Sequence, residues 1–244
     1  MRYAILGDIH SNPSALKAVL DALEEHAVDE ILQVGDVVGY GAAPSEVIEL
    51  VRAADMTVVL GNHDAVCTGA IDPRTFNDSA RLAIEHNLSL LSRDELAWLR
   101  TLQLTSTNAH CALTHGTLWA PERFDYIQRP EEGDSSFSVL ERPVCFLGHT
   151  HRPVTLMRLK ESPHRTSYTF DDTVEFAEIE AALVNVCSVG QPRDDDPRAA
   201  FVVFDADVGR VELHRVEYDI EREADRIQRA GLPKILADRL FLGV

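Results

Sequence analysis

Five short apolar segments in this sequence each end in the kinds of polar residue that bind metal ions. The run from Met56 to Leu60 stops at Gly61 and is followed by Asn62, His63 and Asp64. The same change occurs at four other places, Leu6-Gly7-Asp8-Ile9-His10, Val34-Gly35-Asp36, Leu113-Thr114-His115 and Leu147-Gly148-His149-Thr150-His151. Packing alone gives a buried strand no reason to end in Asn, His and Asp. The pattern therefore predicts five strand ends that share one metal site.

The first 60 residues alternate between strand and helix patterns. Apolar runs at 2–7, 30–34 and 56–60 predict strands, and helical spacing predicts helices from residue 13 to about 26 and over 44–53. Such strand–helix–strand repeats are typical of a parallel sheet. Ligands bind these sheets beyond the carboxyl ends of the strands, which is where the polar residues lie.

The rest of the chain changes character as it proceeds. Residues 76–104 have a helical pattern, with Asn77 as a cap and with Ser92 and Glu95 as a capping box. Two more strands are predicted at 109–114 and 143–147, with a loop or lid at 119–133. Strands joined by short turns follow at 154–159, 167–170, 182–186, 199–204 and 211–218, with a hairpin turn at 207–210 and a helical tail at 220–230 and 233–240. We predict one α/β (α+β) domain, residues 1–244, made of two stacked sheets flanked by helices.

Composition narrows the function. The chain has 40 acidic and 23 basic residues, a formal net charge of −17, and so lacks the basic surface that nucleic-acid polymers require. Bound divalent cations would still allow phosphate chemistry, because they reverse the potential locally. The four cysteines form no Cys-x-x-Cys pair, and no apolar run approaches the ~20 residues of a membrane span. We expect a cytoplasmic protein without membrane or nucleic-acid partners.

The polar strand ends also suggest separate roles within the site. Asp8 and His10 are two residues apart and can face one ion, whereas Asp36 stands alone on the next strand end and is the natural bridge between two ions. Asn62 offers a neutral oxygen ligand. His115, His149 and His151 complete the ligand set. His63 is left over, which makes it the candidate proton donor.

Taken together, these blocks resemble the calcineurin-like metallophosphoesterases. The blocks of that family are Asp-x-His, Gly-Asp, Gly-Asn-His-(Asp/Glu), His and Gly-His-x-His, and all five occur here in order between residues 7 and 151. The segment 185–193 also resembles a block of the small bacterial branch. The resemblance implies a four-layer α/β/β/α sandwich of two mixed sheets, the metallophosphoesterase fold.

The same resemblance implies a mechanism and a set of ligands. Two divalent ions, chosen from Mn, Fe, Zn, Ni and Co, would share Asp36. The first would also be bound by Asp8, His10 and His151, and the second by Asn62, His115 and His149. A bridging hydroxide would attack phosphorus in line and His63 would protonate the leaving oxygen, so that His63 and Asn62 are the expected catalytic residues.

Several positions depart from the family or remain open. Protein serine/threonine phosphatases have Asp-Arg where this chain has Gly39 and Tyr40, and symmetrical dinucleoside tetraphosphatases also have an Arg there. Tyr40 either contacts substrate or only packs. Arg193 either binds phosphate or pairs with one of the aspartates at 194–196. Asp64 either orients His63 or caps the following segment, and Cys187, where a glycine is expected, either is a small buried residue or acts near the metals.

These residues favour an enzyme that hydrolyses small phosphodiesters, or phosphomonoesters, in a metal-dependent reaction. The missing Arg disfavours a phosphoprotein phosphatase and a dinucleoside polyphosphate phosphatase. A non-catalytic scaffold of the same fold that binds protein partners is the alternative from another class. Such scaffolds are expected to lose ligands or the proton donor, and this chain keeps all eight residues.

Overall fold

Two six-stranded sheets carry the strand ends that were predicted to form the site. The structure is a computed structural model that describes residues 1–244. Its strands, in chain order, are β1 (Arg2–Leu6), β2 (Glu30–Gln33), β3 (Thr57–Val58), β4 (Thr105–Thr107), β5 (Cys111–Thr114), β6 (Val144–Leu147), β7 (Val154–Leu159), β8 (Ser162–Thr169), β9 (Thr173–Glu175), β10 (Ile179–Asn185), β11 (Ala199–Asp205) and β12 (Arg210–Val216). The first sheet has the order β3-β2-β1-β11-β12-β9 and the second β4-β5-β6-β10-β7-β8.

Each sheet is mixed, with a parallel part next to an antiparallel part. In the first sheet β1, β2 and β3 run parallel, and β11 pairs antiparallel with β1 through Ile5 and Val202. In the second sheet β5, β6 and β10 run parallel, and β7 is antiparallel to β10. The parallel strands of both sheets direct their carboxyl ends to one side of the molecule. The predicted site residues follow those ends.

Alternating side chains divide the sheets into an inner and an outer face. Tyr3 and Ile5 of β1 belong to an apolar cluster that also contains Phe146 of β6 and Val184 of β10, so these residues face the space between the two sheets. Ala4 and Leu6 instead pack with helices on the outer face. Successive side chains of a strand point to opposite faces of the sheet, so β1 contributes apolar residues to both faces. The four-layer sandwich of two mixed sheets flanked by helices is therefore confirmed.

Helices cover the outer faces and one end of the sandwich. They are α1 (Pro13–Leu23), α2 (Pro44–Ala53), α3 (Asn62–Thr68), α4 (Asp78–Leu90), α5 (Arg93–Leu99), α6 (Asp134–Val139), α7 (Ile220–Arg229) and α8 (Lys234–Leu242). Helices α1, α2 and α5 pack on the first sheet, and Phe137 of α6 packs on the second. None of these helices has the length and the apolar character that a membrane crossing demands.

Several predicted boundaries were wrong. The third strand was predicted over 56–60 but forms a ladder only at Thr57–Val58, because the chain turns at Gly61 into the unpredicted helix α3. The single helical segment at 76–104 is two helices, because Leu91 adopts an extended conformation and the Ser92–Glu95 capping box starts α5. Strands β4 and β9 and helix α6 were missed, and β8 covers Ser162–Thr169 rather than 167–170.

Candidate metal centre

The five polar strand ends meet in one buried cluster. Three overlapping groups of side chains have ligand atoms within 4.8 Å of one another, namely Asp8, His10 and His151; His10, Asp36 and His63; and Asp36, His115 and His149. Every one of these side chains is buried, with 5% exposure or less. Asn62 joins the third group through its Oδ1, which lies 2.9 Å from Nε2 of His115. The structure thus brings all seven predicted ligands and His63 together.

Asp36 links the two ends of this cluster. Its Oδ2 lies 3.6 Å from Nε2 of His10 and 3.3 Å from Nε2 of His115. Its Oδ1 accepts a hydrogen bond of 2.9 Å from the backbone N–H of His63. Because one oxygen is held by the backbone, the other is fixed between the two groups. This is the position that a bridging carboxylate would need.

Hydrogen bonds orient three of the histidines so that Nε2 faces the cluster. Nδ1 of His10 donates to the Val38 carbonyl at 3.1 Å, Nδ1 of His115 to that of Val34 at 2.8 Å, and Nδ1 of His151 to that of Gln191 at 2.6 Å. Backbone carbonyls commonly hold metal-binding histidines in this way.

Once all of these rings are neutral, their orientations leave lone pairs facing each other. Nε2 of His10 is 3.1 Å from Nε2 of His151, and Nε2 of His115 is 3.0 Å from Nδ1 of His149. Two nitrogens bound to one cation at about 2.0–2.1 Å each would lie about 3 Å apart. A cation between them would turn the repulsion into attraction. The imidazole and carboxylate donors therefore suit a divalent cation of borderline hardness.

The pKa values of the histidines follow from burial and from Asp36. Burial lowers the pKa of His10 and of His149 well below its usual value. Burial also acts on His115, but there the attraction of Asp36 prevails and raises the pKa to about 9. Ligands bind metal only when deprotonated. His10 and His149 are therefore ready to bind at neutral pH, whereas His115 must release a proton.

Five of the predicted ligands adopt a left-handed backbone conformation, with φ values of +51° at Asp8 and His10, +59° at Asp36, +70° at His149 and +59° at His151. Each such residue costs about 1–2 kcal/mol, so the surrounding hydrogen bonds must hold it there. The backbone N–H of Asp8 donates to the Gly35 carbonyl at 3.1 Å and that of His10 to the Asp36 carbonyl at 3.0 Å. Strain of this kind is concentrated at functional sites.

Two supporting residues hold the turn after β2. Oδ1 and Oδ2 of Asp64 accept four backbone hydrogen bonds, from Asp36, Val37, Val38 and Gly61, at 2.9–3.2 Å. Asp64 thus caps α3 and fixes the Asp36 turn, and it makes no hydrogen bond to His63. Asn87, which was missed, accepts from the N–H of Gly39 and donates to the Gly41 carbonyl. The sequence offered one indication of this role, because Asn87 follows Ile84 by three residues on the buried face of α4.

His63 lies at the edge of the cluster, and its Nδ1 lies against Gly39. Its Nε2 is 4.0 Å from Oδ2 of Asp36, and its Nδ1 is buried without a hydrogen-bond partner. A Cβ atom at Gly39 would lie 2.3 Å from that Nδ1, and Gly39 has a φ of +99°. The space that a side chain would occupy at position 39 is therefore filled by the imidazole. Burial lowers the pKa of His63 to about 4.

Tyr40 and Arg193 form a stacked pair beside the cluster. The Arg193 guanidinium lies 5.4 Å from the centre of the Tyr40 ring, which itself packs 4.5 Å from the His63 ring. Nη2 of Arg193 donates to Oε1 of Gln191 at 2.9 Å, and its Nε is buried without a partner. The predicted alternative, a pair between Arg193 and the neighbouring aspartates, does not form. Two of those aspartates pair with other arginines, Asp194 with Arg215 and Asp196 with Arg198.

Residues 185–193 support the loops that carry the predicted metal ligands. Nδ2 of Asn185 donates to the Gly148 carbonyl at 2.5 Å, and Oγ of Ser188 donates to the Asp8 carbonyl at 2.8 Å. Cys187 has a φ of +68°, which accounts for the glycine expected there. Burial raises the pKa of its thiol to about 12, and its Sγ lies 3.2 Å from the His151 carbonyl, outside the ligand groups. Of the two alternatives for Cys187, the structure supports the small buried residue.

The predicted lid lies against the cluster. The ring of Tyr126 stacks on His149 with 3.7 Å between ring centres, and Phe124 packs edge-on at 6.0 Å from His115. Tyr126 was missed because its segment has no periodicity. The remaining five histidines stay outside the ligand groups, and His110, for example, contacts the Tyr3 hydroxyl at 2.8 Å.

Comparison with known proteins points in the same direction. A family model described as the calcineurin-like phosphoesterase superfamily domain matches residues 1–209. An uncharacterized protein of Methanocaldococcus jannaschii is 33% identical over 244 residues, which are 98% of this chain and 97% of that protein.

Two solved structures share the fold over almost their whole length. The crystal structure of a metallophosphoesterase from Sphaerobacter thermophilus is 35% identical, with a TM-score of 0.88 and coverage of 100% of this chain and 99% of that one. A hypothetical protein from Pyrococcus horikoshii is 21% identical, with a TM-score of 0.81 and coverage of 100% and 98%, and shows the fold alone. The clustered strand ends, the sandwich and these matches lead to one conclusion: the chain belongs to the calcineurin-like phosphoesterase superfamily.

Proposed function

We propose that this protein hydrolyses small phosphodiesters with the help of two divalent cations. The observation that carries the proposal is the position of Asp36, whose Oδ2 lies between the His10 side and the His115 side of the cluster. In this proposal Asp8, His10, Asp36 and His151 hold one cation. Asn62, His115 and His149, again with Asp36, hold the other.

Bound there, two divalent cations would supply the charge that acidifies a water molecule and neutralises phosphate oxygens. The chain provides the rest of the chemistry. Asn62 and His63 follow one another at the start of α3. In this proposal Asn62 positions the phosphate and His63 reaches the leaving oxygen. Because nothing accepts a proton from Nδ1 of His63, its neutral ring carries the proton on Nε2, toward the cluster.

Arg193 and Tyr40 fit the role of substrate contacts. The buried Nε of Arg193 has no partner in the protein, and an unpaired buried donor is costly unless a ligand satisfies it. A phosphate oxygen is a suitable acceptor. A single arginine stacked on a tyrosine suits the single negative charge of a diester better than the double charge of a phosphopeptide or a terminal phosphate.

The test compares metal content with turnover of two substrates. We expect metal-replete protein to bind two cations per chain and to hydrolyse an aryl phosphodiester at least about tenfold faster than a phosphopeptide, in kcat/KM. Asp36→Asn should lose both metal and activity, whereas Asp78→Asn, at a side chain 92% exposed on α4, should lose neither. Full metal occupancy without turnover of any phosphoester would instead identify a non-catalytic scaffold.

A further inference from the structure

A cleft of about 400 Å³ opens directly beside the cluster. Asn62, His63 and His149 form one side of it, and Phe76 and Tyr126 belong to its walls. Its volume lies within the range of small-molecule sites. Arg123 is the only charged side chain of its lining, and Oδ2 of Asp125 lies 2.9 Å from its Nε. The lining contains no carboxylate that would repel an anionic substrate.

Tyr126 presents an aromatic ring to this cleft from a fixed position. One face of the ring stacks on His149 with an interplanar angle of 14°. Two nearby apolar residues anchor the loop, since Phe124 is 8% exposed and Ile127 is 4% exposed, whereas Tyr126 itself is 48% exposed. A tyrosine that only filled space would be buried like Phe124 and Ile127. This one is held with an open aromatic surface next to a predicted ligand.

Phe76 supplies a second aromatic wall, from the opposite half of the chain. Its ring packs edge-on against His63, with 4.8 Å between ring centres. The residue stands just before α4, whose N-terminus is fixed by Asn77, because Oδ1 of Asn77 accepts from the Ala80 N–H at 3.0 Å. The two aromatic walls therefore flank the two ends of the site, His63 on one side and His149 on the other.

We propose that this cleft binds a planar aromatic group of the substrate, a nucleobase, so that the physiological substrates are nucleoside phosphodiesters. The inference rests on the proposed phosphodiesterase function and adds the substrate class. Every nucleobase has a π face that stacks on Tyr or Phe. Asn77, whose side-chain amide nitrogen is not used in the helix cap, belongs to the same lining. An aliphatic group would gain from the apolar lining but not from stacking.

Binding without turnover gives the first test. Adenosine 5′-monophosphate and ribose 5-phosphate carry the same phosphate and sugar and differ in the base. Titration calorimetry with the purified full chain, metal-free and metal-loaded, should show the nucleotide binding about tenfold or more tightly, as base stacking on aromatic side chains predicts. Equal affinity for both ligands in both metal states would overturn the inference.

Matched variants give the second test. Tyr126→Leu and Phe76→Leu should each lower kcat/KM on a methyl nucleoside phosphodiester about tenfold more than on the base-free ribose analogue, mainly through KM. Tyr168→Leu, at a tyrosine 55% exposed on β8 and outside the cleft, is the control and should change neither.

The outcomes separate this inference from the function on which it rests. Equal losses on the two diesters would show that Tyr126 acts only by holding His149 in place, and would overturn the inference. If wild-type protein binds the nucleotide preferentially but hydrolyses neither diester, the cleft assignment stands and the proposed phosphodiesterase function fails. If it hydrolyses both diesters with the same kcat/KM, the function stands and the cleft assignment fails.

Discussion

At the scale of single residues, the contact between Gly39 and His63 determines what surrounds the candidate proton donor. In this chain the imidazole occupies the space at position 39, and the Tyr40 ring packs 4.6 Å from His10. Burial lowers the pKa of His63 to about 4, although Oδ2 of Asp36 lies 4.0 Å from its Nε2. His63 therefore faces the cluster as a neutral ring when no metal or substrate is bound.

The first prediction concerns His63→Asn. We expect this variant to keep both metals, since His63 is not among the assigned ligands, and to lose about 10²–10⁴-fold in kcat/KM on an alkyl or nucleoside ester. The loss on a nitrophenyl ester should be much smaller, because a nitrophenolate leaves without protonation whereas an alkoxide does not. Metal stoichiometry and kcat/KM on the two esters are the measurements.

Two results would contradict the role of proton donor. Equal losses on both esters with metal retained would show that His63 positions or stabilises the phosphate instead. Loss of metal would make His63 a ligand, which the group formed with His10 and Asp36 also permits by distance.

The place of a site residue in the chain determines whether the sequence could predict it. Asp8, His10 and Asp36 come directly after strands, and parallel strand ends meet at one edge, so their convergence could be expected from the sequence. Asn87 and Tyr126 reach the site from a helix and from an aperiodic loop. Their approach depends on how α4 and the loop pack on the sheets, which no local pattern specifies. The left-handed conformation of five ligands was equally invisible in the sequence.

At the scale of elements, the turn after β2 and the start of α3 are one unit joined by Asp64. We predict that Asp64→Asn lowers the free energy of unfolding by about 1–3 kcal/mol, because an amide nitrogen would face backbone N–H groups that now point to a carboxylate. For a chain of this size, each kcal/mol lost lowers Tm by about 2–4 °C. Thermal unfolding of metal-free protein measures it, with Asp78→Asn as the exposed control.

Metal affinity should fall in the same Asp64 variant, because Asp36 sits on the turn that Asp64 holds. A variant with lower Tm and unchanged metal affinity would show that Asp64 supports the helix alone. Unchanged Tm would contradict the structural role entirely.

The packing of α7 on α1 yields a prediction about pH. Glu223 is 1% exposed, accepts a hydrogen bond from Ser14 and lies 3.5 Å from Nε of Arg226, and burial raises its pKa. A carboxyl whose folded pKa exceeds its unfolded value of about 4.3 costs no stability below that pH. The cost appears as pH rises from there through the folded pKa.

We therefore expect Glu223→Gln to raise Tm at pH 8 relative to the wild type and to have a smaller effect near pH 4.5. Glu221→Gln, at an exposed position on the same helix, should show no such difference. A Tm at pH 8 below that of the wild type would mean that the pairing with Arg226 outweighs the cost of burial.

At the scale of the whole molecule, the order of the strands was harder to predict than their existence. Strands β10 and β11 follow one another in the chain but belong to different sheets, joined through the site segment around Ser188. A strand buried on both sides shows the same apolar run whichever sheet it enters. The presence of two sheets could therefore be predicted, whereas the assignment of each late strand could not.

The net charge of −17 leads to a prediction about substrate size. A polymer with a charge on every phosphate meets the repulsion of the whole surface, whereas a dinucleotide carries a single charge into the cleft. The Debye length is about 30 Å at 0.01 M salt and about 8 Å at 0.15 M, so this repulsion extends over the molecule only at low salt.

We predict that, at 0.01 M salt, the metal-loaded protein cleaves each bond of a single-stranded 20-nucleotide oligomer about tenfold or more slowly than a dinucleotide. The gap should narrow at 0.15 M salt, because screening removes the long-range repulsion and leaves local contacts unchanged. A singly charged nitrophenyl diester serves as the control and should depend only weakly on salt. Rates per bond at the two salt concentrations are the measurement. An oligomer cleaved as fast as the dinucleotide at low salt would show that the acidic charge lies away from the path of approach, and nucleic-acid polymers would then become candidate substrates.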